Sequence, residues 1–204
     1  MNKLSLIRFV VKPAVFAACL VPFALLVLRI YGYGDPLSAN PIEEIQDYFG
    51  QWGLRFIMIA LAVTPLRKVT GWNSLARFRR MLGLFAFFYV FMHFLVWLVL
   101  DQGLTMSAIA EDIFERPFIT LGMVAVVLLV AMAATSTAGI RRRMGQRWQK
   151  LHYSVYAVAI LAVWHYWWQV KKDITEPLVY AVIVAILLGY RLWDKKRRER
   201  LRAA

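Results

Sequence analysis

The chain's three histidines, His93, His152 and His165, stand in or beside long apolar stretches. His93 lies deep in one stretch and His165 late in another. A helix rises about 1.5 Å per residue, so His93 climbs about 18 Å from Met81 and His165 about 22 Å from Lys150. Two separate helices therefore carry imidazoles to one depth, where the rings can converge. A haem iron needs only axial groups from the protein, because the porphyrin brings four nitrogens of its own. Zinc or non-haem iron would want a third or fourth protein ligand, and the interiors of these stretches offer no Asp or Glu. His93 and His165 are the candidate axial pair. An interhelical hydrogen bond is the competing role for a lone intramembrane histidine.

His152 sits about 20 Å below His165 along the same stretch, too far to share an ion with it. The 13-residue interval also turns it about 140° away, at about 100° per residue. A second haem stacked between the same helix pair would need a tilt, a bulge or another partner helix. His152 is a candidate for such an inner centre, or for a plain helix-end position. Arg55, with Arg29 also near an apolar stretch's end, could pair with haem propionates or reach lipid phosphates. Arg77, Arg79, Arg80 and Arg141–Arg143 could grip a flavin phosphate or a donor protein, or simply fix orientation.

These residues must be positioned by membrane helices. Of the 204 residues, 61% are hydrophobic, against roughly 45–50% in a soluble domain, and the mean hydropathy is +0.56. Six spans are expected, roughly Pro13–Tyr31, Gly50–Leu66, Met81–Leu100, Pro117–Thr137, Lys150–Gln169 and Pro177–Trp193. The fold class is all-α, a six-helix transmembrane bundle in one domain. The second span is the shortest, and Pro65 is expected to kink or stop it. The first 30 residues resemble a signal peptide, but no convincing cleavage site follows, so retention as a span is expected. Cys19 is alone, which excludes an intrachain disulfide. Trp164, Tyr166, Trp167 and Trp168 suit an interfacial belt or a cofactor edge. No internal repeat is evident.

The net charge of +13 could suggest nucleic acid, but its distribution argues for topology. Basic residues fill the N-terminal arm (Lys3, Arg8, Lys12), the loop after span two (Arg67 to Arg80), the loop after span four (Arg141 to Lys150) and the tail (Arg191 to Arg202). Asp35, Glu43, Glu44, Asp47, Asp101, Glu111, Asp112, Glu115, Asp173 and Glu176 fill the alternate loops. Basic loops stay on the cytoplasmic side, which places both termini in the cytoplasm and the acidic loops outside.

Arg79-Arg80-Met81-Leu82-Gly83 leading to His93, then Ala134-Thr135-Ser136, then Trp148-Gln149-Lys150-Leu151-His152 continuing to His165-Tyr166 resemble the MsrQ (YedZ) family. Its members are haem-binding membrane subunits of a bacterial periplasmic methionine sulfoxide reductase system. They lie within the ferric-reductase-like transmembrane group that also includes the NADPH oxidases. The resemblance spans nearly the whole chain and is densest from Arg77 to Tyr166. It implies one domain over residues 1–204 with a cofactor core at about 50–170. It also implies a bacterial inner-membrane location, haem b (one, with room for a second), and FMN. Electrons would come from the quinone pool or a cytosolic flavin reductase and pass to the periplasmic molybdenum subunit MsrP. His93, His152 and His165 match the family's histidines. The oxidases carry a fourth, and here Arg80 stands 13 residues before His93. The flavin and nicotinamide domain of the oxidases is also missing, because no Gly-rich strand-to-helix turn is present.

Two alternatives stay open. A ferric or cupric chelate reductase would share this architecture. A non-redox transporter or assembly factor would not need the histidines, though the scarcity of buried carboxylates argues against cation coupling.

Overall fold

The computed structural model describes residues 3–170 and 173–203. The side chains of Lys3 and Arg202, counted above among the basic residues, lie outside the described set. All regular structure among the described residues is helical. Five helices are long and apolar enough to cross a membrane: Ile7–Ile30, Pro41–Thr70, Arg79–Asp101, Pro117–Ala134 and Thr175–Leu201. The chain is a multi-pass membrane protein.

In chain order, α1 is Lys12–Ile30, α2 Pro41–Thr70 and α3 Arg79–Leu95, the last continuing through a wider turn over Val96–Asp101. A short α4, Met106–Glu115, lies between α3 and α5, Pro117–Ala134. Two brief helices, α6 (Ala138–Met144) and α7 (Gln146–His152), precede α8, Val155–Gln169, and α9, Thr175–Ala203, closes the chain. Two helix pairs make the core, α2 against α3 and α5 against α8. Small residues let the first pair close up. A Cβ at Gly53 would lie 2.6 Å from Val90 Cγ2.

The expected fifth span is divided. Tyr153 and Ser154 interrupt it with tight turns in which Tyr153 N–H donates to Lys150 O and Ser154 N–H to Leu151 O. What remains unbroken is the 15-residue α8, about 22 Å long at the usual rise.

The second helix corrects a different expectation. Far from being the shortest, α2 runs 30 residues, straight through Pro65. Asn40 caps its start by accepting from Glu43 N–H, Pro41 fits the first turn, and Gly71 ends it in the left-handed region at φ 70°. Pro65 has no N–H, so the carbonyl of Leu61 loses its helical donor. Arg191 of α9 supplies one instead: its Nη2 donates to Leu61 O at 2.6 Å, and its Nη1 to Tyr156 Oη at 2.9 Å. The guanidinium also lies over the Tyr156 ring, 5.0 Å from its centre. A tertiary contact thus keeps the helix whole where local chemistry would break it.

Arg191→Met removes a charge-assisted donor from a carbonyl that lacks its usual helical partner. The expected loss is about 2 kcal/mol of stability, read as a lower unfolding midpoint by circular dichroism in detergent. An unchanged midpoint would show that Leu61 O finds another donor.

Near Pro22 in α1, the hydroxyl of the fully buried Tyr89 donates to Cys19 O at 2.8 Å and accepts from Phe23 N–H at 3.2 Å. Tyr48 Oη donates to Pro22 O at 2.9 Å. These bonds seat α1 on the α2–α3 pair at the point where its own ladder is weakest. At the opposite end, Lys68 pairs with Asp194, which also takes Arg198 at 3.2 Å.

Candidate functional site

Both long pairs carry a histidine on the second helix aimed at the first. On α3, His93 Nδ1 meets Gln46 O of α2 at 2.8 Å. On α8, His165 Nδ1 meets Phe118 O of α5 at 2.7 Å. A carbonyl only accepts, so each Nδ1 carries the proton and each Nε2 keeps its lone pair. Four residues beyond each acceptor stands a glycine. A Cβ at Gly50 would lie 3.0 Å from His93 Nδ1, and one at Gly122 would lie 3.1 Å from His165 Nδ1 and Cε1. Each ring is therefore tethered at one edge and laid against bare backbone.

In both cases 47 residues separate the histidine from its acceptor. The set Gln46, Gly50, His93 returns 72 residues later as Phe118, Gly122, His165. This is a structural repetition where the sequence shows no evident repeat. Gln and Phe share nothing, because what recurs is a main-chain carbonyl. The same step carries His152 back onto Arg80.

The two rings meet across the bundle with centres 6.1 Å apart and planes at 85°. Two imidazoles on opposite sides of one metal ion would have centres about 6.3 Å apart, given metal–nitrogen bonds of about 2.0–2.1 Å and about 1.1 Å from nitrogen to ring centre. They line a cavity of about 550 Å³ together with apolar side chains such as Leu54, Ile57, Val90, Phe94 and Val126, a volume in the usual range for small-molecule sites. Its mouth carries Glu43, Asp47, Asp101, Asp112 and Arg116. Among the described residues no group of three or more His, Cys, Asp or Glu could hold a bare metal ion.

A second cavity of about 520 Å³ opens at the basic end of the bundle. His152, Arg79, Arg80 and Arg141 line it, with Trp148, Gln149 and Ser136. His152 Nδ1 donates to Trp148 O at 3.1 Å, and its ring stacks on Trp148 with centres 3.8 Å apart. Trp148 Nε1 donates in turn to Thr135 O at 2.9 Å. Arg79 and Arg80 occupy the first turn of α3, where cations add to the positive helix end and together favour an anion. Residues of α2, α3 and α5 line both cavities, and Ile57, 2% exposed, stands between them. The break at Tyr153–Ser154 lies between His152 and His165, which line different cavities.

The arginines divide. Arg79 and Arg80 face the basic-end cavity. Arg77 lies exposed in a short turn, Asn73–Arg77, and lines neither cavity. Arg55 donates to Gln51 Oε1 at 3.1 Å and Tyr180 Oη at 3.0 Å, over the Trp52 ring, and also lines neither. Gln51 itself does line the acidic-end cavity. Sequence reasoning missed Arg116, Asp112 and Trp97. Trp97 Nε1 donates to Asp112 Oδ2 at 2.9 Å, and Arg116 Nε forms an ion pair with Asp112 Oδ1 at 3.0 Å. It also missed Gly50 and Gly122, although small residues inside apolar helices signal close approach.

This arrangement finds its counterpart among known proteins. The family described as ferric reductase like transmembrane component matches residues 49–163, a range that includes His93 and His152 and stops two residues before His165, and the chain belongs to that transmembrane class. Within it the chain is a member of the MsrQ family. It is 47% identical over 193 residues to the protein-methionine-sulfoxide reductase heme-binding subunit MsrQ of Bordetella pertussis, with 92% of each chain covered. To the protein of the same name from Xanthomonas oryzae pv. oryzae it is 46% identical over 207 residues, covering all of this chain and 95% of the relative. No solved structure matches the chain.

Proposed function

We propose that this protein is a haem b electron-transfer subunit in which His93 and His165 are the two axial ligands of one iron. The single observation that carries this reading is the pair of imidazoles 6.1 Å apart, each with Nδ1 turned to a carbonyl. The acceptor nitrogens are thereby left for a metal. Only an ion that arrives with most of its ligands suits such a pair, and the apolar walls fit a porphyrin face. When bound, haem supplies a one-electron redox centre. The protein's own part is to hold two neutral imidazoles in one tautomer and to keep water from the apolar walls.

Loop charge supports an orientation that fits outward transfer. Basic loops mark the cytoplasmic side, which puts both termini and the His152 cavity inside and the His93–His165 cavity near the periplasm, with α8 as a sixth, shorter span in an inner membrane. The inner cavity has the chemistry for a planar anion: three arginines, a helix N-terminus, and Trp148 beside His152. A second haem, FMN or quinone would be held there. Electrons from quinol or a cytosolic flavin reductase would leave outward to MsrP, which repairs oxidised periplasmic proteins. The acidic mouth of the outer cavity favours one rival, a reductase of cationic ferric or cupric chelates.

The deciding experiment uses the purified full chain in detergent. Quinol, or reduced flavin with its reductase, is expected to reduce it. Reoxidation by methionine sulfoxide is expected only when the molybdenum subunit is added. Fast reoxidation by a ferric chelate without that subunit would favour the rival. A colourless protein would remove both.

A further inference from the structure

The mouth of the outer cavity is almost wholly acidic, which is the wrong charge for the edge of a haem that carries two carboxylates. Glu43, Asp47 and Asp101 stand there with one cation among the described lining residues, Arg116. We propose that Arg116, held in place by Asp112, binds the haem carboxylates. This inference rests on the haem reading above and assigns a residue that no sequence signal picked out.

Three observations support it. First, Asp112 is nearly buried yet fully occupied. One oxygen accepts from Trp97 Nε1 at 2.9 Å and Gln102 Nε2 at 3.2 Å, and the other is ion-paired with Arg116 Nε at 3.0 Å. It is spent as an anchor and adds little repulsion toward the cavity. Second, the ion pair to the anchor runs through Nε of Arg116, and among the described residues neither Nη makes a hydrogen bond. The two Nη groups, the pair that forks onto a carboxylate, stay available. The side chain is 57% exposed at the rim, so a ligand edge can reach it. Third, Arg116 is the N-cap residue of the 18-residue α5, with Pro117 next. The positive end of α5 therefore lies beside the same rim, partly offset by the negative end of the shorter α4, whose C-cap is also Arg116. Arg55, the sequence's candidate for this role, is already engaged by Gln51 and Tyr180.

The test pairs a protein variant with a cofactor variant. Full-length wild type and Arg116→Gln are prepared haem-free in detergent, then loaded with haem or with its dimethyl ester, which has no carboxylates. Haem release to apomyoglobin is timed for each. In the wild type, esterification is expected to speed release by roughly tenfold, the worth of a charge-assisted pair. In Arg116→Gln, free haem should leave faster than from the wild type, and esterification should no longer speed release. Arg116→Lys should recover part of the difference. Asp112→Asn should weaken it without abolishing it, because the cation remains.

The ester-to-haem ratio does not depend on total loading, so a partly misfolded variant still reports. An equal ratio in wild type and Arg116→Gln would overturn the assignment of Arg116. Failure of the underlying reading is recognisable separately, because wild type would then show no six-coordinate haem spectrum at all.

Discussion

Replacing His93 or His165 by alanine is expected to abolish the reduced b-type absorption bands of the purified protein. The geometry explains why either loss should suffice. The two rings approach from opposite helix pairs, and no third His, Cys, Asp or Glu cluster among the described residues could take over. Loss of the outer partner of a metal-bound histidine typically costs roughly 10–100-fold in affinity, so loss of the histidine itself should exceed roughly 100-fold. Each variant also removes the side-chain partner of Gln46 O or Phe118 O, which keep only their helical N–H donors. Haem per chain and the reduced-minus-oxidised spectrum are the measurements. Unchanged haem content in the double variant would refute the axial assignment.

A side chain at Gly50 or Gly122 is expected to come close to the same result without touching a ligand. An added Cβ would stand 3.0–3.1 Å from the histidine ring atoms, inside ordinary contact distance. The ring cannot swing away cheaply, because its Nδ1 is tied to a carbonyl one turn earlier on the glycine's own helix. Gly50→Val and Gly122→Val should each lower haem affinity by roughly 10–100-fold, as removal of an orienting partner does, and Gly→Ala by less. Gly189→Val is the control, since nothing lies within 4 Å of a Cβ there. If all three valine variants load haem equally, the glycines do not set the ring positions.

Different parts of the molecule were legible to different degrees, for physical reasons. Span existence was the easiest, because burial in lipid demands long apolar runs and these stand out in any window. Span ends were harder. The reading stopped the second helix near Pro65, since proline removes a backbone donor, yet Arg191, 130 residues away from the Leu61 carbonyl it serves, replaces that donor. The fifth stretch was read as one helix because nothing in Tyr153-Ser154 forbids helix. The interruption there is visible only in its hydrogen bonds. The acidic loop after α3 conceals α4, whose Asp112 became the anchor of a rim network.

Composition and order alone determined that this is an all-helical membrane chain with basic and acidic loops in alternation. They also determined that His93 and His165 reach one depth. Those properties follow from hydropathy, charge and a fixed rise per residue, all of which are local. Tertiary structure decided that the two rings face each other, which tautomer each adopts and which arginine borders the cavity. Those outcomes depend on main-chain carbonyls and on the absence of side chains at Gly50 and Gly122. Neither leaves a residue-type signature, because a carbonyl is the same on Gln46 as on Phe118.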